Sequence, residues 1–225
     1  MKIINILIFL ILIISIRVLY SFYQNVIFKN YENIKIFRLN NFVKLKPNEI
    51  NNLLIESNNG FNQNIFSQGK KLAYNEIKNL APTLVEQIES EKFRKIISNS
   101  LGEEVYLSNK NDSDRLFTKF YYNKNDNIGW HYDNNFSGGR RYTINIPLYI
   151  EKCNTCRLQY KNSKGKTINV NDKLDELYIY EGDKIFHRVT NQTKNCKRLV
   201  IIIPMYNVKD FNLIGKIKTN LKLFF

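Results

Sequence analysis

The chain has little histidine and little cysteine, and both shortages narrow its chemistry. Among 225 residues there are only two histidines, His131 and His187, and three cysteines, Cys153, Cys156 and Cys196. Three cysteines are too few for a disulfide scaffold. A structural zinc site takes four ligands, and with the histidines engaged elsewhere the cysteines leave it one short. A disulfide remains open for the Cys153-Asn154-Thr155-Cys156 pair, and it requires an oxidising compartment. Acidic side chains are also scarce: 20 Asp and Glu stand against 34 Lys and Arg, for a net charge of +14. That excess attracts anions, whether nucleic acid, an anionic membrane surface or an acidic substrate. No dense basic block is present, so a solvated basic surface explains the charge equally well. Internal repeats are absent, and with them the stacked-repeat architectures.

What is present first is a long apolar run. Residues Ile3 to Ile16 are interrupted only by Asn5 and Ser15, and Arg17-Val18-Leu19-Tyr20-Ser21-Phe22-Tyr23 follows. A helix needs roughly 20 apolar residues to cross a bilayer. Tyr20, Phe22 and Tyr23 suit the interface, and Arg17 can snorkel. A cleaved signal peptide is the main rival, but no small-x-small cleavage site follows the run. Residues 1–23 are therefore expected to be a single-pass transmembrane anchor, of either orientation. A buried helix is the third alternative.

Residues 24–44 read as a linker with a short strand at Ile34-Lys35-Ile36-Phe37. Pro47 and Glu49 sit where a helix's first turn favours them, and Asn58-Asn59-Gly60 ends that helix. A second helix is expected from Pro82 to Ser100, with Leu84, Val85, Ile88, Ile96 and Ile97 on one face. Residues 61–81 are polar and carry no clear signal. After Gly102 the pattern changes to short strands separated by turn residues. They fall near 104–108, 115–122, 129–133, 141–149, 156–161, 166–170, 176–180, 184–189 and 198–206. Such spacing predicts a sandwich, a barrel or a jelly roll. The expected division is an anchor at 1–23, a linker at 24–44, a helical support at 45–103, a β core at 104–210 and a tail at 211–225.

The two histidines fall on this β core. Strand alternation puts His131 and Asp133 on one face. With His187 they make two imidazoles and a carboxylate, a set that leaves positions open on a metal and favours non-haem Fe(II) oxygen chemistry. Arg198 opens an apolar strand, and a guanidinium grips a carboxylate through two parallel bonds. Tyr122 carries a hydroxyl that can donate to an anion, and Thr143 follows on the strand after the ligand loop. Trp130 and Tyr132 flank His131; Tyr132 is expected to point away from the metal and Trp130 to pack.

Taken together, these residues resemble the Fe(II)- and 2-oxoglutarate-dependent dioxygenases, in particular the prolyl 4-hydroxylase-like branch. The resemblance covers roughly residues 100–206. It rests on Tyr122, His131-Tyr132-Asp133, Arg141-x-Thr143, Gly182-Asp183-x-x-x-His187-Arg188-Val189 and Arg198. It implies a mainly β protein with supporting helices, built on a double-stranded β-helix, the jelly-roll fold. It implies Fe(II) held by His131, Asp133 and His187, and 2-oxoglutarate held at its distal carboxylate by Arg198, with Lys197 as runner-up. Tyr122 and Thr143 would help to hold that cosubstrate, and ascorbate is a further candidate cofactor. The implied reaction is hydroxylation of a C–H bond with O2, on a protein, peptide or small-molecule substrate, with 2-oxoglutarate converted to succinate. Prolyl hydroxylases often carry Gly-Gly-x-Thr where this chain reads Cys156-Arg157-Leu158-Gln159-Tyr160. Nucleic-acid demethylases of the same superfamily usually show a second arginine where this chain has Pro204. A non-catalytic membrane-anchored jelly roll is the remaining alternative. Glycosylation patterns at Asn111, Asn135 and Asn191 point weakly to the lumen of the endoplasmic reticulum.

Overall fold

The computed structural model describes residues 15, 34–38, 42–64, 67–135 and 139–209. The expected anchor at 1–23 and the tail at 211–225 lie essentially outside them. Among the described residues no helix is long and apolar enough to cross a membrane.

The elements run β1 (Lys35–Arg38), α1 (Pro47–Ser57), β2 (Phe61–Asn64), β3 (Ser67–Lys71), α2 (Tyr74–Leu80), α3 (Pro82–Glu89), α4 (Glu91–Leu101) and β4 (Tyr106–Leu107). There follow β5 (Phe117–Tyr121), β6 (Asn127–His131), β7 (Arg141–Ile150), β8 (Leu158–Lys161), β9 (Thr167–Val170), β10 (Glu176–Tyr180), β11 (His187–Val189) and β12 (Arg198–Tyr206). The strand order is β1-β10-β7-β12-β5-β3-β6-β11-β8-β9, with β2 on β3 and β4 on β12. Every pairing is antiparallel. A five-stranded half, β1-β10-β7-β12-β5, and a four-stranded half, β6-β11-β8-β9, result, bridged by β3. This is the expected jelly-roll arrangement.

Alternation explains how the first half serves two cores. Tyr142, Ile144, Ile146 and Leu148 of β7, with Leu199, Ile201, Ile203 and Met205 of β12, pack outward against the helices through Leu53, Ile77, Leu84, Val85, Ile88, Phe93 and Ile97. The opposite faces of the same strands turn toward the second half. There Tyr178 and Tyr180 of β10 meet Leu158 and Tyr160 of β8 and Val170 of β9. A strand buried on both faces reads as a continuous apolar run. β7 departs from that rule, because its inward positions are Arg141, Thr143 and Asn145, all buried. Polar side chains buried inside a barrel mark the site.

The support region departs from expectation twice. The single helix expected over 82–100 is broken at Ser90, where the backbone is extended (ψ 146°) and the hydroxyl caps α4 by accepting the Phe93 amide at 3.1 Å. The buried Glu49 carboxylate of α1 accepts the amides of Thr83 and Leu84 at 3.1 and 3.0 Å, closing the start of α3. The polar stretch 61–81 is not featureless either. It forms β2, β3 and α2, and β3 is the strand that joins the two halves. At Gly69 φ is +129°, and a Cβ there would lie 3.1 Å from the Phe120 carbonyl oxygen. Only glycine lets β3 approach β5 this closely.

Cys153 is disulfide-bonded to Cys196, and Cys156 stays a buried free thiol. The pairing within Cys153-Asn154-Thr155-Cys156 is therefore not made. The bond fastens the β7–β8 turn to the segment entering β12, beside two hydrogen bonds, from the Glu151 amide to the Lys197 carbonyl and from the Lys197 amide to the Glu151 carboxylate. Closing a loop of 43 residues stabilises a chain by about 4 kcal/mol in the entropic treatment. Reduction is expected to lower the urea midpoint accordingly; an unchanged midpoint would mean that the bond adds nothing.

Candidate metal centre

His131 ends β6 and His187 begins β11, and these two residues stand directly opposite each other in the antiparallel pair. Their rings lie 4.3 Å apart. Asp133 follows two residues after His131, where its amide donates to the Gly182 carbonyl at 2.8 Å. One oxygen of its carboxylate, Oδ1, lies 3.7 Å from His131 Nε2 and 3.8 Å from His187 Nε2. All three ligand atoms fall within 4.8 Å of one another. The three residues singled out from the sequence are brought together.

The surroundings prepare these atoms for a cation. His131 Nδ1 bonds the Gly129 carbonyl at 2.8 Å and His187 Nδ1 the Ile185 carbonyl at 2.7 Å. A carbonyl accepts only from N–H, so each bond fixes the tautomer that leaves Nε2 as a bare lone pair. Both imidazoles are held below their ordinary pKa. Burial is the main cause for each; for His187 the neighbouring His131 adds to it, and for His131 the cations Arg141 and Lys119 do. Neutral imidazole is the ligating form. The other carboxylate oxygen, Asp133 Oδ2, accepts from the Thr143 hydroxyl and lies 2.9 Å from Arg141 Nη1. Two partners on Oδ2 aim Oδ1 at the imidazoles.

Gly182 completes the cradle. A Cβ at this position would stand 1.9 Å from Asp133 Oδ2 and 2.4 Å from Thr143 Oγ1. The carboxylate occupies the space that any side chain would need. Arg141 Nε and Asn145 Oδ1 are buried and make no hydrogen bond, and Arg141 Nη1 has its ion pair with Asp133. Unmet polar groups in a barrel interior are costly unless a ligand meets them. Two nitrogen donors, one carboxylate oxygen and these unmet groups fit Fe(II) with a polar cosubstrate beside it.

The cosubstrate residues expected from the sequence fare differently. Thr143 is in the site, but its hydroxyl serves Asp133. Tyr122 lies beyond the end of β5, stacked on Phe120 at 6.2 Å against the helix-covered face. One step of alternation separates it from Tyr121, which is the tyrosine the barrel encloses. Arg198 faces inward, yet its Nε donates to Asp172 Oδ2 at 2.8 Å and its Nη2 bonds the same oxygen. Both side chains are buried, at 3% and 4% exposure. Lys197 sits before β12, its amide on the Glu151 carboxylate at 2.8 Å. Replacing Arg198 alone by methionine is expected to destabilise the fold by about 3–5 kcal/mol, because Asp172 is left buried and unpaired. A denaturant titration checks this, and a loss below about 1 kcal/mol would mean that the pair is solvated.

The sequence reading passed over Lys119, Tyr121, Asn145 and Tyr180. All stand on the inward face of a strand, with Asn145 donating to the Tyr180 hydroxyl at 3.2 Å and the Tyr180 ring meeting His187 edge-on at 5.0 Å. Alternation from His131 or Thr143 would have found them. Trp130, with Tyr132, packs outward around Phe186, at 5.2 and 5.0 Å, as expected of residues flanking an inward ligand.

No protein-family model and no curated protein matches the chain. Solved structures do. AviO1 from Streptomyces viridochromogenes Tue57 aligns at TM-score 0.58 and 12% identity, over 81% of this chain and 93% of that one. EctD from S. alaskensis, solved with 2-oxoglutarate and 5-hydroxyectoine, aligns at 0.57 and 10% identity, over 81% and 75%. A Pseudomonas putida prolyl-4-hydroxylase aligns at 0.51 and 11% identity, over 77% and 91%. At this level of identity the likeness concerns architecture, and on that ground the chain has the double-stranded β-helix fold of these proteins.

Proposed function

We propose that this chain is an Fe(II)- and 2-oxoglutarate-dependent oxygenase that hydroxylates a C–H bond of a protein or peptide side chain. The convergence of His131 Nε2, His187 Nε2 and Asp133 Oδ1 carries this reading. Bound Fe(II) and 2-oxoglutarate would supply O2 activation, with one oxygen atom entering succinate as CO2 leaves and the other entering the substrate. The chain's own part is to hold and shield. His131, Asp133 and His187 would hold the ion, and a set of only three protein ligands leaves positions on it for cosubstrate and O2. Thr143 and Arg141 hold the carboxylate in place. The ring of Tyr180, packed on His187, keeps water from the buried side.

The peptide substrate is supported by the prolyl hydroxylase-like motifs and by the likeness to the Pseudomonas putida prolyl-4-hydroxylase. A small-molecule substrate is the second reading, favoured by the likeness to EctD, solved with 5-hydroxyectoine. Succinate release from 2-oxoglutarate, measured with Fe(II) across prolyl and lysyl peptides, small amino-acid derivatives and methylated DNA, tests both. Stimulation by peptides alone supports the first; stimulation by methylated DNA would overturn both.

We further propose that residues 1–23 tether the enzyme to a membrane and that the catalytic domain faces an oxidising lumen. The Cys153–Cys196 disulfide is in keeping with such a compartment. Deleting residues 1–23 is expected to release the protein from membranes. A truncated protein that still sediments with lipid would make the basic surface the tether instead.

A further inference from the structure

The outer face of β6-β11-β8-β9 carries two rows of side chains that the strand registers set next to each other. His187 pairs with both His131 and Tyr160, and Arg188 pairs with Gln159. His131, His187 and Tyr160 point into the barrel, so their chain neighbours point out. One row therefore brings Tyr132, Phe186 and Lys161 together, and the next Trp130, Arg188 and Gln159. No acidic residue occurs in any of the four strands.

The two cations of these rows are held in place by neutral groups. Trp130 receives the Arg188 guanidinium at 4.7 Å and the Lys161 ammonium at 5.2 Å from its ring centre. Arg188 Nε donates to Gln159 Oε1 at 2.7 Å, and Gln159 in turn donates to Asn169 Oδ1 at 2.6 Å. Lys161 Nζ donates to the Thr167 hydroxyl at 2.8 Å. Among the described residues neither cation has an ion pair, whereas Arg94, Arg115, Arg140, Arg141 and Arg198 are each paired to a carboxylate. A cation already fixed by a ring and a hydrogen bond loses less freedom when an anion arrives than one moving in water. The charge excess of +14 thus includes one ordered, unneutralised patch.

We propose that this face docks an extended acidic segment of a partner polypeptide. Charge complementarity selects an anionic occupant. Arg188 and Lys161 stand diagonally on adjacent strands, about 7–8 Å apart at the backbone. Side chains on one side of an extended peptide recur at roughly 7 Å, so carboxylates at alternate positions meet both cations. Single-stranded nucleic acid binds by stacking bases on open rings. Here Phe186 already stacks on Trp130 at 5.2 Å, and the two cations crowd the same ring. Docking on a bilayer sinks apolar side chains below the headgroups, whereas Trp130, Tyr132 and Phe186 are each half-buried. A polypeptide is therefore the occupant that the face fits.

Trp130 is the chain's only tryptophan, so its emission reports on this face. The test titrates the full chain with a peptide that alternates glutamate and alanine, and with its lysine counterpart. The acidic peptide is expected to shift the emission saturably, more weakly as salt is raised, and the lysine peptide to leave it unchanged. Lys161→Gln/Arg188→Gln should weaken binding roughly 10-fold, because each exposed ion pair is worth a few-fold. Lys161→Gln alone should lose roughly 3-fold, and it carries the test if the double variant does not fold. Lys92→Gln/Lys95→Gln makes the same change of charge on α4 and should bind as the wild type does. No response in the wild type, or equal losses in the two double variants, would overturn the inference, the second by making net charge the cause. Tighter binding of oligothymidylate, or of phosphatidylserine over phosphatidylcholine vesicles, lost in the Lys161/Arg188 variant, would overturn it in favour of nucleic acid or a membrane. Neither metal nor turnover enters, so failure here leaves the proposed function untouched.

Discussion

His131→Ala is expected to remove Fe(II) binding and 2-oxoglutarate turnover while leaving the fold intact. The ion would lose one of three protein ligands, and the other two cannot hold a face of it. The structural cost should be small, because the His131 side chain is one-third exposed and ends its strand. Turnover below detection and metal affinity reduced by at least 100-fold are expected, beyond the 10- to 100-fold typical of losing a mere supporting partner. Asp133→Ala should abolish activity equally but also cost roughly 1–3 kcal/mol of stability, because Thr143 and the buried Arg141 lose their shared acceptor. The contrast between the two variants separates ligation from folding. Metal titration beside thermal unfolding reads both, and undiminished metal binding in His131→Ala would reject the ligand set.

Gly182→Ala should be nearly as damaging, although no atom of glycine ligates anything. Its added methyl would overlap Asp133 Oδ2 at 1.9 Å and Thr143 Oγ1 at 2.4 Å. Neither neighbour is the loose end of a long side chain; Thr143 is fixed in β7, and Asp133 is tied through its amide to Gly182 itself. Something must shift, at a typical cost of 1–3 kcal/mol, about that of overpacking a core. The ligand carboxylate is the group in the way, so metal affinity should fall together with stability. Gly165→Ala is the comparison, since a Cβ there meets nothing within 4 Å and only the positive φ of +73° is strained. It should lose some stability and keep full metal affinity. Equal metal affinity in Gly182→Ala and Gly165→Ala would mean that the carboxylate is not held against Gly182.

The grouping of His131 with Asp133 was legible because a strand repeats every two residues, so the two share a face whatever the exact register. That tolerance ends where a single step matters. Tyr122 is the last residue of a strand expected over 115–122, whereas β5 closes at Tyr121, the tyrosine on the enclosed face. Arg198 opens β12 as expected, but its partner Asp172 comes from the loop between β9 and β10, and no spacing in the chain announces that contact. β3 escaped notice because Ser67-Gln68-Gly69-Lys70-Lys71 carries no apolar alternation; the strand is dictated by the edges of β5 and β6 that it joins. The break between α3 and α4 was written in Ser90 as a capping residue, but the apolar face runs through it without interruption. The cysteine pairing could not be read at all, because it depends on where two distant turns meet.

Diffraction at the iron absorption edge from crystals of the full chain grown with Fe(II) under nitrogen tests the metal assignment most directly. A single strong anomalous peak bounded by Nε2 of His131, Nε2 of His187 and Oδ1 of Asp133 is the predicted result. A peak at other residues, or none between these three while the protein retains bound iron, would contradict it.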